Sequence, residues 1–212
     1  MPIQKHRPLR TLAALALASV VFTACITGER PTLVEPVSEV VDDPAIAAVV
    51  ERLDRADETA FTATYDIIPS SSGTTTAATV INEGTSRRRV RIGDVDYITD
   101  GGVTRTCQND DAGCVDFLDD ARISDLNITN KFWGVAFASR LRLDGSRRVG
   151  FGEGSSETIA GQPALCVDVP VVSAAVTYCA LEAGPLARYF GADVSIELTS
   201  FAVGADPADL EF

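Results

Sequence analysis

Phe61-Thr62-Ala63-Thr64-Tyr65-Asp66-Ile67 alternates apolar and polar side chains residue by residue. That is the period of a strand with one buried face, and the β-branched and aromatic content suits it. The stretch before it keeps a different period. Asp43 stands where an N-cap belongs, and Pro44 at the first helical position, where a missing N–H costs nothing. Ile46, Val49, Val50 and Leu53 recur at helical spacing among Glu51, Arg52, Asp54 and Arg55, predicting a helix over 44–57. A helix that gives way to a run of strands makes this an α+β chain.

Downstream, Pro69-Ser70-Ser71-Ser72-Gly73 reads as a turn. Strands follow over 74–82, 86–92, 95–99 and 103–107, separated by Glu83-Gly84, Gly93-Asp94 and Asp100-Gly101-Gly102. Short strands with tight turns predict an antiparallel meander. The pattern then breaks. Residues 115–121 and 130–143 read as helical, with Phe132, Val135, Ala136, Ser139 and Leu143 on one stripe, Trp133 and Phe137 beside it, and Gly145 at the helix end. Strand patterns return over 147–151, 155–159, 164–169, 174–181, 186–190 and 194–203, with residues 152–154 as a turn.

Upstream lies a different kind of segment. Lys5, Arg7 and Arg10 precede the apolar run Leu12–Phe22, and no acidic residue occurs before Glu29. A basic start, a short apolar core and small residues after it are the parts of a secretory signal. The core is shorter than the roughly 20 residues a membrane span needs. Phe22-Thr23-Ala24-Cys25 resembles the bacterial lipobox, with Phe22 where Leu is commoner. That resemblance implies that Cys25 receives a thioether-linked diacylglycerol and becomes the first mature residue. An ordinary secretory signal with a chance cysteine is the bland alternative. The expected organisation is a signal over 1–24, a flexible tether over 25–42, and one domain over 43–212. The lipid on Cys25 would hold the protein on the extracytoplasmic face of the cell membrane.

The chain has 18 Lys+Arg against 30 Asp+Glu. Removing the signal takes three basic residues and no acidic ones, leaving fifteen against thirty and a net charge near −15. Such a surplus argues against nucleic-acid binding and against electrostatic attachment to anionic headgroups. The only histidine, His6, leaves with the signal. A mature chain without histidine holds no Ser-His-Asp or Cys-His arrangement and no histidine-ligated metal, so neither a catalytic residue nor a cofactor is expected.

Besides Cys25, four cysteines remain: Cys107, Cys114, Cys166 and Cys179. An even set suits an oxidising compartment, and four cysteines allow 3 pairings. Closeness in sequence favours Cys107–Cys114 and Cys166–Cys179. A four-thiolate metal site is the rival, but neither pair has the tight Cys-x-x-Cys spacing.

Helix, meander, helical insert, second meander: this order resembles the LolA/LolB-like lipoprotein carriers and their actinobacterial relatives, the LppX/LprG group. The residues that carry the resemblance are Phe61–Tyr65, Ser86–Ile92, Glu157–Gly161 leading into Cys166–Val169, the Tyr178–Gly184 hairpin, and Asp206–Phe212. It spans most of residues 44–212 and is a likeness of pattern. It implies a curled antiparallel sheet, a half-open barrel, whose concave face is covered by an N-terminal helix and a helical insert over an apolar cavity. It also implies a bound lipid or other acylated, hydrophobic ligand. Candidate lining residues are Phe117, Leu118, Phe132, Trp133, Val135 and Phe137, which ordinary core packing explains as well.

Other clusters read blandly. Asp110, Asp111, Asp116, Asp119, Asp120 and Asp125 lack EF-hand spacing and read as a solvated acidic loop. Arg87, Arg88, Arg89 and Arg91 alternate faces of a strand and read as neutralised by acidic groups of the same protein. Gly150–Ser156 lacks the lysine and helix of a phosphate loop and reads as a hairpin. Three functions compete. One is a lipid-binding or lipid-carrying lipoprotein. The second is a non-catalytic accessory lipoprotein that docks an envelope or membrane protein partner without a ligand. The third is a carboxylate-only hydrolase, for which no paired carboxylates are evident.

Overall fold

A computed structural model describes residues 42–108, 113–147, 149–172 and 174–210. The expected signal, Cys25 and nearly all of the tether lie outside the described residues. Helix α1 (Pro44–Arg55) starts as its sequence dictates: the Asp43 carboxylate accepts from the amides of Ala45 and Ile46. Its apolar stripe, Ile46, Val49, Val50 and Leu53, is fully buried. A 3-10 turn (Ala56–Glu58) leads into the first strand.

Ten strands follow. They are β1 (Ala60–Pro69), β2 (Thr76–Glu83), β3 (Arg87–Ile92), β4 (Val95–Asp100) and β5 (Val103–Gln108), then β6 (Glu153–Ile159), β7 (Gln162–Val171), β8 (Ala174–Leu181), β9 (Leu186–Phe190) and β10 (Val194–Val203). All join one sheet in the order β5-β4-β3-β2-β1-β10-β9-β8-β7-β6. Each half is a meander, and the two halves meet where β1 pairs antiparallel with β10, from Phe61↔Val203 to Pro69↔Val194. A register irregularity between Thr64 and Tyr65 sharpens the local twist. β5 and β6 remain edges, so the sheet curls without closing into a barrel.

Alternation fixes which side is which. Phe61, Ala63, Tyr65 and Ile67 of β1 are buried while Thr62, Thr64, Asp66 and Ile68 are only partly so. With Val80, Val90, Tyr97, Val167, Tyr178, Tyr189 and Ile196 they form the concave core. α1 and α2 (Val135–Ser146) pack against one another and cover the second meander. The irregular stretch 113–134, containing a 3-10 helix over Asp120–Leu126, covers the first.

The structure departs from the sequence reading at four places. Residues 115–118 are not helical, because Val115 pairs with Thr106 of β5. The Thr106 hydroxyl also donates to the Phe117 carbonyl and accepts from the Asp119 amide, so groups a helix would use internally are already committed. The helix expected from 130 begins only at Val135. Gly134 packs so closely on Ala56 that a Cβ would lie 3.0 Å from its side chain, and the Trp133 carbonyl accepts from Leu186 N–H at 2.8 Å. α2 then runs through Gly145 to Ser146 instead of stopping at the glycine. The described residues of 147–151 form no strand and 152–154 form no turn, since β6 begins at Glu153 opposite Asp168. Continuing that register would set Phe151 opposite Pro170, which has no N–H to donate, and the Gly152 amide goes to Asp43 at 2.6 Å instead.

Candidate functional site

Between the first meander and the insert lies an aromatic layer. β1 supplies Phe61 and Tyr65 from its inward-facing positions, and the turn before α2 supplies Phe132 and Trp133. Phe61 meets the Trp133 ring edge-on with centroids 5.4 Å apart, and Tyr65 meets Phe132 edge-on at 5.1 Å. The Arg88 guanidinium covers the Trp133 ring at 5.5 Å while pairing with Asp57 at 3.0 Å. All four aromatic side chains are essentially inaccessible.

Two polar atoms in this layer stand out. The Tyr65 hydroxyl and the Trp133 indole Nε1 are buried, and neither has a hydrogen-bond partner among the described residues. Burial alone pushes the Tyr65 hydroxyl well above the usual phenol range, so it stays a neutral donor. An unpartnered buried donor costs roughly 1–3 kcal/mol, and most native structures avoid it.

The insert is tied to the sheet by hydrogen bonds and by its buried side chains Ile123, Leu126, Ile128, Phe132 and Trp133. Tyr97 donates its hydroxyl to the Asp119 carbonyl at 3.2 Å, Thr106 holds Phe117 and Asp119, and Asp120 accepts from the Asn130 amide and side chain. Of the expected lining residues, Phe132 and Trp133 meet in the layer just described. Phe137 is buried on the other side of the core, edge-on to Tyr189 at 4.6 Å and to Tyr178 at 6.4 Å. Leu118 packs partly buried against the core and Val135 is half-buried, whereas Phe117 is 56% exposed at the start of the insert.

A second polar assembly sits where α2 meets β8 and β9. Tyr178 donates to the buried Asp144 carboxylate at 2.5 Å. Arg140 lies over the Tyr189 ring at 4.7 Å and pairs with Asp193 at 2.7 Å. Nothing in the sequence marked Tyr178 and Asp144 as partners, because they lie 34 residues apart on elements of different period.

The remaining candidates resolve as structure. Cys107–Cys114 and Cys166–Cys179 are both disulfide-bonded. Asp119 and Asp120 serve local hydrogen bonds, Asp116 faces Arg105, Asp110 and Asp111 lie outside the described residues, and no group of three metal-ligating side chains occurs among the described ones. The arginines alternate as expected. Arg87 pairs with Glu83 and Asp100, Arg88 with Asp57, and Arg89 and Arg91 both with Asp96. On that outer face Thr79, Ile81, Arg89, Arg91 and Asp209 line a shallow cavity of about 210 Å³ beside the closing 3-10 turn Pro207–Leu210.

Among the described residues, ten antiparallel strands, curled but not closed, with helices over the concave face, make this an α+β fold, as expected from the sequence. No family model matches the chain, and no curated protein matches it in sequence. Among solved structures the chain is similar to the Pseudomonas aeruginosa MucA/MucB complex, with 15% identity and a TM-score of 0.50 over 79% of this chain and 60% of that one. It is also similar to LprF from Mycobacterium bovis (13%, TM-score 0.42, 77% and 95%) and to the LolA superfamily protein NE2245 from Nitrosomonas europaea (9%, TM-score 0.37, 79% and 97%). At these identities the likeness is one of fold. The chain spans about three fifths of the length of the MucB chain.

Proposed function

We propose that the chain is an exported binding protein that takes an acylated molecule between its concave face and the insert 117–134. The carrying observation is the pair of buried donors, Tyr65 hydroxyl and Trp133 Nε1, in a layer built of aromatic rings. An ester or amide carbonyl at the head of an acyl chain supplies the acceptor they lack, and the chain itself replaces aromatic packing contacts. Admitting the ligand requires this irregular cover to move aside, and that displacement is part of the proposal. Binding of this sort requires no catalytic group. Export through the leader and acylation of Cys25, attaching the protein to the extracytoplasmic side of the cell membrane, complete the proposal. Two disulfides suit that compartment.

The second reading is docking of an envelope protein without a ligand. It is kept because the comparison structure of MucB contains MucA.

Trp133 is the only tryptophan, so its emission reports on the site. Titrating the mature Cys25→Ser chain with palmitoyl lysophosphatidylcholine is expected to give a saturable change in emission. Tyr65→Phe, which removes only the hydroxyl, should weaken that binding about tenfold, the equivalent of one hydrogen bond. Its melting temperature should hold or rise. An emission that ignores the lipid at every concentration contradicts the proposal and favours docking.

A further inference from the structure

Exposed apolar side chains gather at one end of the sheet. Phe151 is 85% exposed, Val172 94% and Val149 46%. They belong to two neighbouring loops, since Gly150 lies against Pro170 so closely that a Cβ would come within 2.8 Å of its ring. The other strongly exposed valines, Val103 and Val203, lie at the opposite end on β5 and β10, five positions apart in the sheet order. Scattered apolar residues need no explanation, but a cluster of them on two loop tips does.

The same end is where the chain arrives from its N-terminus. Asp43 caps α1 and also accepts from Gly152 N–H at 2.6 Å, between Phe151 and β6. Asp43, from which the sequence runs back toward Cys25, therefore lies beside the patch. About 17 residues separate the two, a reach of at most roughly 55 Å.

We infer that the Val149/Phe151/Val172 tip is a membrane-contacting surface, which rests its apolar side chains in the outer lipid interface while Cys25 holds the domain to the bilayer. This rests on the reading of Cys25 as an anchor. The tether raises the local concentration of lipid around this tip above that around any other face, so that three apolar side chains suffice where they would not hold a free protein. Burial of apolar area drives the contact, and it is correspondingly insensitive to salt.

The test couples the mature chain through its Cys25 thiol to a maleimide phospholipid in phosphatidylcholine vesicles, so anchoring does not depend on natural acylation. Phe151→Trp and Val103→Trp variants are compared in vesicles with and without brominated acyl chains. The emission of Trp133 in the unsubstituted chain, anchored to the same vesicles, is measured and subtracted. Both positions are exposed, and a melting temperature equal to that of the unsubstituted chain verifies the fold. The expected result is loss of about half of the added Phe151→Trp emission, unchanged in about 0.5 M salt, with Val103→Trp unaffected. Equal quenching at both positions, or none at 151, overturns the inference, and the latter is also what a protein occupant of this tip gives. A Cys25 that proves unacylated in cells removes the anchor reading separately, by its mass.

Discussion

Asp96 shows how much of this fold's charge is arranged pairwise. Its carboxylate, 8% exposed, accepts from Arg89 at 2.7 Å and from Arg91 at 2.6 Å. Burial pushes its pKa up, but the hydrogen bonds and charges of the two guanidinium groups outweigh this, and the net shift is downward from 3.8. A carboxyl whose folded pKa is depressed contributes stability that is fully present above its unfolded value and lost as pH falls through the folded one. Urea unfolding at pH 7 and at pH values below about 3.8 should therefore show Asp96 losing its contribution. Asp96→Asn should be less stable than the parent at neutral pH and should lose less on acidification. Equal acid losses for parent and variant would exclude this pair of contacts as a source of acid sensitivity. Tyr65 and Trp133 sit at the other extreme, buried donors without a hydrogen-bond partner among the described residues.

Among the elements, the two disulfides act on different parts. Cys166–Cys179 joins directly paired residues of β7 and β8 in the middle of a meander. Cys107–Cys114 joins the edge strand β5 to the root of the insert, beside the Thr106↔Val115 bridge. Loop-closure entropy gives about 3 kcal/mol for a loop the size of the first and about 2.5 kcal/mol for the second. Replacing Cys166 and Cys179 by Ala should lower global stability by about that amount. Replacing Cys107 and Cys114 should instead speed hydrogen exchange over 115–126 before it affects the sheet, and uniform exchange across the chain would contradict that assignment. The strands were largely legible because alternation is a local signal: β1, β8, β9 and β10 lie where the periods put them. The insert was not. Its backbone is shaped by Thr106 on one side and by Ala56 and Leu186 on the other, partners far away in sequence. The meeting of β1 with β10 leaves no local trace either, nor does the contact of Tyr65 with Phe132, 67 residues further along.

At the scale of the molecule, two meanders share one concave face, and helices cover the second while an irregular insert covers the first. This asymmetry divides the domain into a helix-covered half and an insert-covered half. The helix-covered half carries the Tyr178–Asp144 and Arg140–Asp193 contacts that fasten α2 to β8 and to the β9–β10 turn. The insert-covered half carries Tyr65 and Trp133. The account's central claim, that this insert-covered half receives an acylated molecule, is tested most directly by native mass spectrometry with lipid extraction. The sample is the mature Cys25→Ser chain purified from an actinobacterial host. The account predicts a bound lipid in one-to-one ratio, released on extraction and reduced in Tyr65→Phe. A bare protein mass from a folded chain with both disulfides intact would contradict it.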